Sequence, residues 1–162
     1  MKIFGRPLHE YVRFSRVFVL LIAAVGITRL ALSLAGAPNS TATWFSMTAV
    51  ARIGVLYCAV RVQSSGFGTY KHLLPIVALI NLTAQAIAIG GIVIAIFTGA
   101  NNIFSSPEYA FGSDGKTWFH AGAHLVLGTT VGTLIPWLTG CLIMLISMKF
   151  TKQKRTSAAA RA

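Results

Sequence analysis

The chain has 162 residues, of which 55% are hydrophobic and 10% charged, with 14 Lys and Arg against three acids and a net charge of +11. A soluble domain covers its surface with about 25% charged residues, and a disordered chain is far less apolar, so both classes are excluded. What remains is an all-α polytopic membrane protein whose exterior is solvated by lipid; nucleic-acid binding is set aside because the cations cluster at the ends of apolar runs.

The N-terminal segment carries Lys2, Arg6, Arg13 and Arg16 ahead of the first apolar run, 17–36. Pro7 suits the first turn of a helix, so the helix is expected to reach back past His9 into the cytoplasm. Ala35-Gly36-Ala37 imitates a signal-peptidase site. The long basic region, Arg29 within the run and Pro38 after the supposed cut argue for a retained span. Further runs cover 43–62, 73–98 and 119–148. Each has the roughly 20 residues that cross a hydrocarbon core, and none alternates as a barrel strand does. The expected fold is a four-transmembrane-helix bundle over residues 1–150. A small basic tail, 151–162, is expected to lie loosely along anionic headgroups.

Loop charge sets the expected orientation. The N-terminus, the second connection (Arg61, Lys71) and the C-terminus (Lys149, Lys152, Lys154, Arg155, Arg161) are basic. The first connection has no charge, and the third, 99–118, has one Lys and two acids. The positive-inside rule then places both termini in the cytoplasm. The plan resembles small bacterial inner-membrane proteins in architecture alone, and that is the expected location. The third connection holds turn formers (Asn101-Asn102, Ser105-Ser106-Pro107, Gly112 to Gly115) and is expected to be an exposed loop. Thr43-Trp44-Phe45 and Thr117-Trp118-Phe119 open spans 2 and 4, and Gly54 and Gly128 follow at the same offset. Either a helical hairpin was duplicated, or Trp and Phe suit the outer interface twice over.

Polar residues inside the spans are the strongest functional signal, because a charge at the bilayer centre costs about 2.5–3.5 kcal/mol on insertion scales. Span 1 has Arg29 and span 2 Arg52; span 3 has Asn81 and Gln85, and span 4 has His120 and His124, each pair at i, i+4. A rise of 1.5 Å per residue puts Arg29, Arg52 and His124 about 8–12 Å below the outer surface. His120, His124, Gly128 and Gly132 form one stripe, and Gly-x-x-x-Gly permits close helix approach, so the stripe should face protein. Gly90-Gly91 offers span 3 a similar approach point, and Pro136 is expected to kink span 4. No carboxylate lies within the runs. The two arginines therefore need lipid phosphates, Glu108 or Asp114 folded back, backbone carbonyls, or a bound anion.

His120 and His124 have a spacing compatible with a shared metal, with Asp114 and Glu108 as weak further candidates. The pair lacks the Glu of a metalloprotease helix, and no Cys accompanies it. A haem shared by His72 and His120 is disfavoured because they start spans on opposite sides of the membrane. There is no phosphate loop, nucleophile elbow or pair of intramembrane acids. The leading expectation is thus a non-catalytic protein that binds a lipid headgroup, quinone or small solute in an outward-facing pocket. Arg29 and Arg52 would supply charge there, and Gln85 and His124 would orient the ligand. Such a protein could serve as an accessory or transport subunit, or as a homo-oligomer. The alternatives are a haem or metal redox protein using His120 and His124, and a purely structural anchor.

Overall fold

The computed structural model describes residues 1–110 and 112–159. A small antiparallel hairpin opens the chain, β1 (Lys2–Ile3) pairing with β2 (Arg6–Pro7). Its turn residues Phe4 and Gly5 both have positive φ, the geometry that matches the twist of a two-residue hairpin. Helix α1 (Leu8–Leu34) starts directly after Pro7, well before the apolar run begins. The Tyr11 hydroxyl donates to the Ile3 carbonyl at 2.8 Å, and Arg6 pairs with Glu10 at 2.5 Å, so the hairpin is fastened to the helix it precedes.

A single turn, α2 (Asn39–Ala42), follows Pro38. Helix α3 (Met47–Ser64) begins after Ser46, whose Oγ accepts from the Ala49 N–H at 3.2 Å. The second span was expected from Thr43; the Ser46 cap moves its helix start to Met47. Thr43-Trp44-Phe45 thereby falls in the link between α2 and α3. Helix α4 (Tyr70–Thr98) ends on Gly99 in the left-handed region. Helix α5 (Trp118–Ala123) is capped by Thr117 and passes into a five-residue π-helix, His124–Gly128, and then α6 (Thr129–Ala159). The two Thr-Trp-Phe triplets therefore have different backbone settings, one before a helix and one across its first turn. Gly54 packs toward Phe18 in a regular helix, whereas Gly128 ends the π-helix, so the duplicated-hairpin reading loses its backbone correspondence. The segment from Thr151, expected to lie loosely, continues α6 to Ala159; residues 160–162 lie outside the described residues.

Four segments are long and apolar enough to cross a membrane: Leu8–Leu34, Asn39–Ser64, Tyr70–Thr98 and Trp118–Phe150. Their outward faces are apolar, with Leu20, Ile53, Leu125 and Leu138 well exposed. Their inner faces bury Ile22, Val55, Cys58, Leu73, Ile76, Ile80, Ile92 and Met144. Helix α4 packs on α1, α3 and α6, and α3 also packs on α1 and α6. The section is therefore a rhombus, with α3 and α4 along the short diagonal and α1 and α6 at the far corners.

The connection from Gly99 to Thr117, expected as an exposed loop, folds down onto the bundle. Asn102, Ile103, Phe104 and Ser105 are buried. Asn102 Nδ2 donates to the Gly91 carbonyl at 2.8 Å, and its Oδ1 accepts from the Phe104 N–H at 2.9 Å. Ser33 Oγ accepts from the Ile103 N–H at 2.8 Å, and Asn39 Nδ2 donates to Ser106 Oγ at 3.2 Å. The turn formers thus supply the side-chain bonds that let polar backbone be buried. Gly91 has no Cβ, and the Phe104 ring occupies the space one would fill.

Candidate functional site

The four polar side chains singled out from the sequence, Arg29, Arg52, Gln85 and His124, line one cavity of about 480 Å³. Each comes from a different span. The arrangement follows from the rhombus: the parts of α1, α3, α4 and the π-helix at the loop end of the bundle surround a space lined on that side by Ile103, Phe104 and Tyr109.

Arg29 lies near the C-terminal end of α1. Its Nη2 donates to the Tyr109 hydroxyl at 3.3 Å, and its guanidinium carbon is 5.5 Å from the ring centres of both Phe104 and Tyr109. Two aromatic faces attract a cation by about 0.5–2 kcal/mol each, more where water is excluded. Arg29 Nε is buried with no partner. Glu108 and Asp114, considered as counter-ions from the sequence, do not fill that role. Glu108 is exposed, and the Asp114 carboxylate accepts from the Lys116 N–H at 2.9 Å in a local turn. Among the described residues the ion pair is Arg6–Glu10, far from the cavity at the opposite end of α1. Arg52, on α3, makes no hydrogen bond or ion pair among the described residues and is exposed at the cavity rim.

The opposite wall is a chain of neutral polar groups. His124 Nδ1 donates to Gln85 Oε1 at 2.7 Å, and Gln85 Nε2 donates to Asn81 Oδ1 at 3.3 Å. Asn81 Nδ2 then donates to the Gly128 carbonyl (3.0 Å), the Thr129 carbonyl (3.2 Å) and Thr133 Oγ1 (3.0 Å). The π-helix borders this pattern. It ends where α6 begins, and the two carbonyls that Asn81 meets stand at that junction. The Thr129 hydroxyl donates back to the Leu125 carbonyl. Gly128 and Gly132 make the approach possible: a Cβ on Gly128 would meet the Gln85 amide, and one on Gly132 the Asn81 amide. The glycine stripe faces protein as expected, and its partners are two amides rather than a bare helix.

His120 is buried. Its Nδ1 donates to the Gly115 carbonyl at 3.0 Å, which leaves Nε2 as an acceptor, and that atom has no partner. The His120 and His124 rings are 5.0 Å apart. Among the described residues no group of three or more His, Cys, Asp or Glu converges, and Asp114 is held in its own turn. His72 is occupied at the other end of the molecule, where Nδ1 accepts from the Thr69 N–H at 3.0 Å and Nε2 meets the Phe4 carbonyl at 3.2 Å.

No family model, curated protein or solved structure matches this chain.

Sequence reasoning missed Phe104 and Tyr109, and it noted Asn81 without assigning it to the site. Asn81 was visible as an intramembrane amide, and its i, i+4 relation to Gln85 was the available signal. Phe104 and Tyr109 left no local signal, because their place depends on a loop folding back over helices more than 70 residues away in sequence for Arg29.

Proposed function

We propose that this is a small, non-catalytic integral membrane protein of the bacterial inner membrane, with both termini cytoplasmic, that binds an anionic or strongly polar ligand in the cavity. The observation that carries this reading is that two guanidinium groups share one intramembrane cavity with no carboxylate on its wall. A permanently charged group in a low-dielectric site calls for an opposite charge, and arginine cannot relieve the cost by losing its proton. Phe104 and Tyr109 offset part of the charge of Arg29; Arg52 has only the ligand or the headgroup zone to turn to. His124, held by Gln85, presents Nε2 toward polar parts of the same ligand. Lipid headgroups, quinones and small solutes all offer acceptors for such a set. Accessory or transport roles, and assembly as a homo-oligomer, are compatible with a bundle this narrow.

Native mass spectrometry of the protein taken from membranes tests this. A retained small molecule is expected, and Arg52→Leu is expected to lose it while keeping its helical content. The same bound mass at the same occupancy in the variant removes Arg52 from the site. Equal tolerance at Arg29, Arg52, Gln85 and His124 would favour a structural anchor instead.

A second reading is favoured by the unpartnered, buried His120 Nε2 beside His124. Metal–nitrogen bonds of about 2.0–2.1 Å place the rings of a trans pair farther apart than 5.0 Å, so a haem between these rings does not fit, while one small ion bound at an angle does. Metal analysis of the purified protein decides: a stoichiometric metal lost in His120→Ala supports it, and a metal-free protein rejects it.

A further inference from the structure

Resting on the anion-binding reading, we propose that the ligand is an anionic membrane lipid, admitted sideways from the bilayer between α3 and α6 rather than from the aqueous side. The first observation is that the outer mouth is covered. Ile103 and Phe104 are buried over the cavity, and bonds from Ser33, Asn39 and Asn102 hold the loop down on α1, α2 and α4.

The second is where the lining is exposed. On α3 it is Thr48 and Arg52; on α6 it is Val131 and Ile135, exposed by 46% and 60%; on the loop it is Tyr109, exposed by 41%. The cavity walls on α4 are buried or half-buried. Four of these five exposed lining residues stand on α3 and α6, so the main opening lies along the seam between them, with Tyr109 at its loop end. These helices meet in their inner halves, where a Cβ on Gly140 would touch Val55 and Ala59, and where Ser147 Oγ donates to Gln63 Oε1 at 2.7 Å. Farther out, α6 is held by α4 through Asn81 and Gln85 instead, and α3 is left facing the cavity.

The third is the order of polarity with depth. Arg29, Arg52, Gln85 and His124 line the outer part, and Val55, Val77, Ile80 and Pro136 the inner part. This sequence of cation, neutral donor and hydrocarbon matches a lipid of the outer leaflet, whose acidic head lies outward and whose chain points to the midplane. A volume of about 480 Å³ suits a headgroup and one chain segment, within the usual range of ligand cavities. The remaining chain would stay in the bilayer through the seam, against Val131 and Ile135. Arg52 stands at the seam with its charge free, which supplies the complementarity for an acidic head.

The test uses the full chain in a mild detergent, with phosphatidylglycerol, phosphatidylcholine or inorganic phosphate added, read by native mass spectrometry and by thermal stability. Phosphatidylglycerol is expected to bind as a single retained adduct and raise Tm, with phosphatidylcholine at least 10-fold weaker and inorganic phosphate without effect. Arg52→Gln is expected to reduce retention at least 10-fold, whereas Arg16→Gln, an exposed cation of α1, is expected to leave it unchanged. Ile135→Trp keeps both arginines and narrows the seam; it is expected to weaken lipid retention to a similar degree. Val131→Trp serves the same purpose should Ile135→Trp not fold. Equal retention of the two lipids, or loss on Arg16→Gln, overturns the proposal in favour of unspecific annular lipid. If inorganic phosphate alone stabilises the protein through Arg52 and both seam variants bind it normally, anion binding stands and the lipid and its lateral route fall. If neither anion binds, both readings fall together.

Discussion

At the scale of single residues, the intramembrane polar groups were the legible part of this molecule. Arg29, Arg52, Gln85 and His124 are conspicuous in apolar runs because each is expensive there, and expense points to a partner. They converge on one cavity, with Arg29, Gln85 and His124 partly buried and Arg52 exposed at its rim. What they bond to was not legible, since the partners of Arg29 are Phe104 and Tyr109, ordinary loop aromatics whose position depends on tertiary folding. Asn102 shows the same limit: it looks like a turn former, and it is a buried hub between Gly91 and Phe104. Asn102→Leu would leave the Gly91 carbonyl and the Phe104 N–H without their partner. At about 1–3 kcal/mol for orphaned buried groups, a clear drop in Tm is expected by scanning fluorimetry. Tyr109→Leu is expected to destabilise less, because it removes one weak hydrogen bond and one of two ring faces from Arg29.

At the scale of elements, the π-helix at His124–Gly128 is the feature with most influence on the site. It has no composition of its own, so the stripe of His120, His124, Gly128 and Gly132 reads from sequence as one regular helix. The regular reading still placed the stripe correctly toward protein, where Asn81 and Gln85 reach it from α4. Asn81→Leu removes that donor from two carbonyls and Thr133. Interhelical hydrogen bonds in membranes average about 0.6 kcal/mol, with a maximum near 1.7. Because Asn81 makes three such contacts, a loss of roughly 1–2 kcal/mol is expected, measurable by steric-trap or denaturant unfolding in micelles. Gln85→Leu is expected to cost less in stability and more in ligand retention, since it frees the His124 ring that it now orients. Gly132→Leu, which drives a side chain into the Asn81 amide, is expected to behave like Asn81→Leu and to add little when combined with it.

At the scale of the whole molecule, hydropathy was enough to read four helices, because lipid allows few other solutions. The start of α1 beside Pro7 was legible from the proline, whereas the start of α3 was not, because the Ser46 hydroxyl cap sets it. Orientation is open to direct measurement. Single cysteines introduced as Ser65→Cys and Ser113→Cys are exposed positions on opposite ends of the bundle. With both termini inside, an impermeant maleimide is expected to label Ser113→Cys in intact cells and Ser65→Cys only after lysis; the reverse pattern inverts the topology. The native Cys58 is buried and Cys141 half-buried, so background labelling is expected to be low. The chain of amides from α4 to the π-helix also has a consequence for biogenesis. Helix α4 leaves the ribosome well before α6, and until α6 arrives, Asn81 and Gln85 have only each other to bond. A nascent chain stopped after α4 would carry a half-satisfied amide pair into the bilayer, a mark by which quality-control proteases could tell an unfinished copy from a finished one.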